Sequence, residues 1–377
     1  MRQGTKRRAL EVAALTALAA LSAAVAALAW STNWFLSLGA RASGERLERM
    51  RRSRHWSGGR FVNSMPTHAM LPRSAAQAVR MQVTGSETRY PPRAIPVERR
   101  VRSDFDAPPE SGLRATWMGH AAALVEIGGV RVLTDPVWSE RVSPSTLVGP
   151  RRFFEPPIAL EELPPIDAVV ISHDHYDHLD METVKSLAKR TAVFLVPLGV
   201  GAHLEKWSVP KAQIRELDWS ERMVVGGVTF VSTPARHFSG RRLGGRDATL
   251  WCSWVIAGDR HRVYYSGDSG YFDGFREIGR EHGPFDLTLM SVGAYSSTWP
   301  LIHMTPEEVV QAHEDLRGGL LLPVHWGTFN LAFHDWNEPP SRTLIAAARR
   351  QAQVAIPRPG QMVEPAHSRP IDEWWRE

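Results

Sequence analysis

The sequence predicts a mixed α/β sandwich, with two sheets inside and helices on their outer faces. Three observations predict it. Apolar runs of strand length come early and in close succession. Later runs of the same kind alternate with helix-length segments, the order expected of helices laid over sheets. The chain has 377 residues, 43% hydrophobic and 23% charged, so it is globular, long for one domain and too short for three.

The elements follow in order. Leu113–Met118, Ala122–Ile127 and Val130–Thr134 read as strands, parted by Gly119-His120 and Gly128-Gly129. Asp167–Ser172 is a short buried strand, and Asp180 caps a helix running to about Lys189. Ala192–Val196 is a further strand. Met223–Val225 and Val228–Thr233 form a hairpin across Gly226-Gly227, and Leu250–Ala257 with Arg262–Ser266 form a second. Helices near Phe272–Glu281, Pro306–Leu316 and Ser341–Arg350 alternate with strands Leu287–Met290, Leu320–Pro323 and Val354–Ile356. No internal repeat is visible.

Ahead of these lie two other regions. Residues 1–30 hold Arg2, Lys6, Arg7 and Arg8, then an Ala/Leu-rich run of 19 residues from Val12 to Trp30. A helix of that length spans a bilayer core. The run equally fits the apolar region of a signal peptide with Ala27-Leu28-Ala29 as cleavage site, or, less well for want of a polar face, a soluble helix. The protein is therefore expected at a membrane through an N-terminal anchor, or exported to the periplasm if the run is cleaved. Basic residues on both sides leave the orientation open. Residues 31–108, rich in Arg, Ser and Pro, read as a linker and an arm wrapping the catalytic domain of residues 109–377, with Phe61, Met65, Met70 and Leu71 as apolar contacts.

Charge is divided in the same way. Residues 1–108 carry 18 Lys and Arg against 7 Asp and Glu, a net +11, which leaves −6 for residues 109–377. The region with the chemistry is acidic, which argues against nucleic acid as a partner, since phosphate backbones are held by positive surfaces. The basic N-terminal part suits an anionic membrane surface. The single cysteine, Cys252, excludes an intramolecular disulfide framework and multi-cysteine zinc sites, and reads as a packed core thiol.

The chemistry concentrates in His173-Asp174-His175-Tyr176-Asp177-His178, directly after the apolar run Ala168–Ile171. His173 and His175 can converge on one ion as the loop turns, and Asp177 and His178 point to a second. Imidazoles and carboxylates suit Zn²⁺ or a similar metal. Two ions roughly 3.5–4 Å apart can clamp a displacement between them. A complete site needs ligands from later in the chain. His237, Asp268 and His325 each stand just past an apolar strand run, where a rigid scaffold delivers them preorganised.

These motifs are similar to those of the metallo-β-lactamase superfamily, whose signature is His-x-His-x-Asp-His, over about residues 113–365. Trp117-Met118-Gly119-His120-Ala121, Leu133-Thr134-Asp135-Pro136, Gly293-Ala294-Tyr295 and His325-Trp326-Gly327-Thr328-Phe329 resemble a narrower branch. That branch comprises N-acylphosphatidylethanolamine-hydrolysing phospholipase D and its bacterial relatives. The resemblance implies fold class α/β (α+β), a four-layer αββα sandwich, and two zinc ions. His173, His175 and His237 would hold one ion, Asp177, His178 and His325 the other, with Asp268 bridging. Asp135 would orient a ligand histidine, and His120 would stand at the cleft or make a structural hydrogen bond. His303 would face the substrate phosphate, so Asp177, Asp268 and His303 are the expected catalytic residues. Tyr295 and Trp299 are candidates for an acyl or headgroup pocket. A homodimer is also implied, although the sequence carries no interface signature.

The function expected is a phosphodiesterase cutting N-acylated phosphatidylethanolamine or a similar phospholipid. A lactone or carboxyl-ester hydrolase on the same fold, or a non-catalytic membrane-anchored binding module, are the alternatives. His55, His68, His203, His261, His282, His313, His334 and His367 have no constellation around them and read as surface or incidental.

Overall fold

A computed structural model describes residues 33–367 and 370–376. The apolar run Val12–Trp30 lies outside the described residues. Among the described residues no helix is long and apolar enough to cross a membrane. The chain enters as an arm: α1 (Trp34–Ser37), α2 (Gly44–Arg52), a small hairpin of β1 (Trp56–Ser57) and β2 (Arg60–Phe61), and α3 (Ala75–Thr84). Met50 and Phe61 pin the arm into the main core, and Met65 packs partly against it. Met70, expected to dock, is instead exposed. The neighbouring Leu71 is held by its backbone, donating to Thr298 O at 2.8 Å.

Two seven-stranded sheets follow. The first holds β3 (Leu113–Gly119), β4 (Ala122–Ile127), β5 (Val130–Thr134), β6 (Ile166–Val170), β7 (Thr191–Pro197) and β8 (Ile214–Leu217) in sequence order. β3, β4 and β5 pair antiparallel, and β5 to β8 pair parallel. The second sheet repeats this plan. β9 (Arg222–Val225), β10 (Val228–Thr233), β11 (Ser253–Ala257) and β12 (Arg262–Tyr265) are antiparallel. β13 (Phe285–Ser291), β14 (Gly318–Val324) and β15 (Gln353–Val354) continue from β12 in parallel. The last strand, β16 (Met362–Val363), leaves the second half and pairs antiparallel with β3 at the edge of the first sheet. The internal repeat is thus one of topology, carried by no repeat in the sequence.

Parallel neighbours need crossovers, and helices supply them on the outer faces. These are α4 (Met181–Leu187) and α5 (Gly201–Lys206) on the first sheet. On the second they are α6 (Gly274–His282), α7 (Pro306–Asp315) and α8 (Glu338–Arg350). The strand period divides the core. Leu113, Ala115, Trp117, Ala123, Val125 and Ile127 face the second sheet, while Met118, Ala122 and Leu124 join Val184 and Leu187 of α4 on the outer face. This is a mixed α/β sandwich with sheets flanked by helices, the metallo-β-lactamase fold.

Local chemistry sets the boundaries. Asp180 caps α4 by accepting from Glu182 N, and α4 ends at Leu187, earlier than the sequence suggests. α7 opens on a reciprocal Thr305–Glu308 capping box with Pro306 in its first turn. The strand expected from Leu250 starts only at Ser253. The preceding residues are apolar because they are buried where the halves meet, and their backbone stitches the second half to the first: Leu250 N donates to Leu198 O and Cys252 N to Ser172 O.

Candidate metal centre

The ends of several strands meet at one edge of the sandwich. The His173–His178 segment follows β6, His237 follows β10, Asp268 follows β12 and His325 follows β14. The imidazoles of His173, His175 and His237 form one group whose ligand atoms lie within 4.8 Å of one another. His120, Asp177, His178 and His325 form another. Asp268 stands between them. Its Oδ2 is 3.8 Å from His237 Nε2, 3.9 Å from His173 Nε2 and 3.1 Å from His178 Nε2, and its Oδ1 is 3.2 Å from His325 Nε2. All seven expected ligands therefore converge, and His120 joins them, its Nε2 3.0 Å from Asp177 Oδ2.

Hydrogen bonds behind the site fix where the lone pairs point. His237 Nδ1 lies 3.0 Å from the carbonyl of Ile302, which can only accept, so Nδ1 carries the proton and Nε2 faces the cluster bare. His178 Nδ1 likewise donates to Asp135 Oδ2 at 2.6 Å, leaving its Nε2 3.1 Å from His325 Nε2. Asp135 is held in turn by Ser172 N at 2.7 Å, by the Ser172 hydroxyl and by the Tyr265 hydroxyl at 2.5 Å. Asp268 Oδ1 is buried and accepts no hydrogen bond. Bare imidazole nitrogens converging with carboxylates are a donor set for a cation, and the residues fit a metal of the zinc type.

The electrostatics agree. Burial works against a charged His178, yet Asp268, Asp177 and Asp135 outweigh it and push its pKa well above the ordinary histidine value. His325 is pushed up to about 8 against the same burial, chiefly by Asp268 and Asp177. Burial would raise Asp268, but His178, His325 and His303 hold its carboxyl well below the usual range. A field that draws protons into this cluster would equally favour a divalent cation in their place. His120 moves the other way: burial and His325 lower it to about 3, so it is neutral at pH 7. His120, Asp135 and His325 have φ of 51°, 30° and 66°. Left-handed backbone at non-glycine residues costs of order 1–3 kcal/mol each and clusters at functional sites.

Around the cluster, His303 precedes α7 with its ring 5.2 Å from His237 and 5.6 Å from His325. Its Nδ1 is 3.9 Å from Asp268 Oδ2 and has no hydrogen-bond partner. Tyr295 and Trp299 make contacts of their own in the loop before His303. The Tyr295 hydroxyl donates to Glu338 at 2.7 Å and its ring stacks on His334, while Trp299 Nε1 donates to Ala294 O and its ring packs on Phe333.

Two of the histidines expected at the surface are buried, because the sequence does not reveal what covers them. His313 is 2% exposed and bonds Thr288 Oγ1 at 2.7 Å. His203 is 3% exposed; its Nε2 reaches Asp174 at 3.4 Å, and its Nδ1 accepts from Ala40 N at 3.0 Å. The arm presses so closely here that a Cβ on Gly39, whose φ is +71°, would lie 2.1 Å from His203 Nδ1. Arg241 completes the joint. It donates to Ser37 O of the arm and to Asp174 O and Leu179 O of the metal loop, with its guanidinium 4.1 Å from the Tyr176 ring centre. Arg241-Arg242 stands four residues past His237, a pair the sequence reading passed over.

A family model described as the beta-lactamase superfamily domain matches residues 130–326. An uncharacterized protein of Mycobacterium tuberculosis is 48% identical over 370 residues, covering 94% of this chain and 98% of that one. The N-acyl-phosphatidylethanolamine-hydrolyzing phospholipase D 1 of Caenorhabditis elegans is 38% identical over 262 residues, covering 65% of this chain and 72% of the relative. Among solved structures, the isothiocyanate hydrolase from Delia radicum gut bacteria aligns with a TM-score of 0.54 at 18% identity, over 67% of this chain and 98% of the other, a likeness of fold.

Proposed function

Because this chain belongs to the beta-lactamase superfamily of metal-dependent hydrolases, we propose that it is a phosphodiesterase of the phospholipase D type acting on N-acylated phosphatidylethanolamine or a close phospholipid. The observation that carries the reading is the site's two-sided donor set with Asp268 between its halves, in a chain 38% identical to a phospholipase of that name. His173, His175 and His237 would hold one zinc ion, and Asp177, His178 and His325 a second, with Asp268 shared. Bound there, the ions supply Lewis acidity toward phosphoryl oxygens and a more acidic water.

The protein's own residues supply the orientation. His120 bonds Asp177 and fixes that carboxylate in the cluster. Asp135, clamped by Ser172 and Tyr265, sets the ring of His178. His303 is held neutral at pH 7, lowered to about 4 by burial, with Asp268 opposing. It can therefore donate a hydrogen bond to a non-bridging phosphoryl oxygen as charge develops there. Water adds to phosphorus, the bond from phosphorus to the ethanolamine oxygen breaks, and the products are a phosphatidic acid and an N-acylethanolamine.

The test is turnover by the zinc-loaded full chain. Hydrolysis of N-acylated phosphatidylethanolamine, with plain phosphatidylethanolamine as comparison, supports the reading. Turnover of lactones or carboxyl esters in its place overturns it.

A further inference from the structure

We propose that one face of the molecule, built from the start of the arm and two loops beside the metal loop, docks onto an anionic lipid bilayer. The proposal deepens the phospholipid reading, on which it rests. Three segments lie side by side there. The Ser37 hydroxyl donates to Pro144 O at 3.0 Å, joining the arm to the 139–149 loop. Arg241 and Arg242 donate to Ser37 O and Leu38 O, joining the arm to the 240–249 loop. Tyr176 of the metal loop lines a cavity of about 300 Å³ between the arm and the first of these loops.

Each of the three segments carries large apolar side chains into solvent. Phe35 is 62% exposed, Leu147 55%, Val148 61% and Leu243 100%. Apolar groups grouped on neighbouring loops of a soluble fold mark an interaction surface. Positive charge accompanies them. A second cavity, of about 380 Å³, lies between the arm and the 240–249 loop and is lined by Arg41, Arg51, Arg242 and Arg246. Glu48 pairs with Arg51 and Asp247 with Arg246. No carboxylate of the described residues is paired with Arg41 or Arg242, which suits them to phosphate oxygens. Glu140 and Glu182 also line the first cavity, so the positive charge of the face lies at the second, and apolar side chains beside unpaired arginines have the chemistry of an interface between acyl chains and acidic headgroups.

The sequence selects the bilayer over a protein partner. Its apolar run Val12–Trp30 ends three residues before Asn33, which lines the cavity between arm and 139–149 loop. The part of the chain best suited to lipid therefore joins the fold at this face. Docking here would bring the metal loop toward the layer that holds a phospholipid substrate.

The experiment uses the full chain and its sole cysteine, Cys252. That thiol is 1% exposed and burial pushes its pKa up, so an added surface cysteine takes a thiol-directed label selectively. An environment-sensitive fluorophore is placed through Leu243→Cys and Leu147→Cys. Val224→Cys on β9 and Ile345→Cys on α8, exposed sites on other elements, serve for comparison. Vesicles of phosphatidylglycerol and phosphatidylcholine with brominated acyl chains are added. The expected result is a blue shift with about twofold or greater quenching at 243 and 147 and neither at 224 or 345, weakened in phosphatidylcholine alone and in Arg41→Gln/Arg242→Gln. Equal signals at all four sites, or none at 243 and 147, overturn the proposal. A blue shift that appears without vesicles and rises with protein concentration also overturns it, because a second copy then covers the face. Turnover in detergent micelles separates this failure from the other: hydrolysis without docking removes the face and leaves the phosphodiesterase, and docking without hydrolysis does the reverse.

Discussion

The backbone N–H of His325 donates to the carbonyl oxygen of His120 at 2.8 Å. One residue closes β14 of the second sheet and the other follows β3 of the first, so this bond ties the two sheets together beneath the metal cluster. Thr328 Oγ1 supports it from the far side, accepting from His120 N at 2.6 Å. Thr328→Val should cost about 1–2 kcal/mol by leaving that buried N–H unpaired. Urea denaturation measures the loss, and metal content should fall with it as His120 and His325 separate.

Asp268 touches both halves of the donor set, so its removal should not resemble loss of an ordinary ligand. Asp268→Asn is expected to lower kcat by about 10²-fold or more and to reduce bound metal below two equivalents. Steady-state kinetics and elemental analysis on one preparation read both. Unchanged turnover in this variant would contradict the bridging role.

Tyr265 is buried and gives its hydroxyl to Asp135. Tyr265→Phe keeps the ring and removes only that bond. Metal affinity should weaken about 10–100-fold, as for other groups behind ligand histidines, with little change in KM. Competition with a chromophoric chelator checks the affinity.

Acid should unfold the protein partly through His313, which is remote from the metal cluster. Burial lowers its pKa to about 4, against an ordinary 6.5. The unfolded chain therefore takes up this proton first, so stability is full above about 6.5 and falls as pH drops toward 4. The loss approaches about 3 kcal/mol at the lower limit. His313→Gln, which cannot titrate, should flatten the melting temperature between pH 6.5 and 4 relative to the parent.

Arg241 bonds three carbonyls across the joint between arm and metal loop. Arg241→Met keeps much of the side chain's length and removes every donor. The arm should release from the metal loop, seen as faster tryptic cleavage at Arg41 with the core of the domain intact.

Much of the site was legible because its ligands follow a local rule. His237, Asp268 and His325 each end an apolar strand run, and a ligand past a buried strand is visible in one dimension. The fold was legible for the same reason, since strand period and capping residues are local signals. His203 and Arg241 were not, because their partners sit some 160 to 200 residues away in the arm. The helix α2 escaped because Met50 is its only buried side chain, which gives no apolar stripe to read. Leu250–Cys252 misled as a strand because residues buried between the two halves are as apolar as those of a core strand.

The edge pairing of β16 with β3 bears on when the site can exist. Met362 lies opposite Thr116, so the first sheet is not complete until synthesis has passed residue 363. The second half must also emerge before His325 can meet His120. During synthesis, the His173–His178 loop leaves the ribosome long before its partners and presents an unfinished set of donors. A nascent chain that stalls before β14 carries the signature motif without His325, and so without the full donor set.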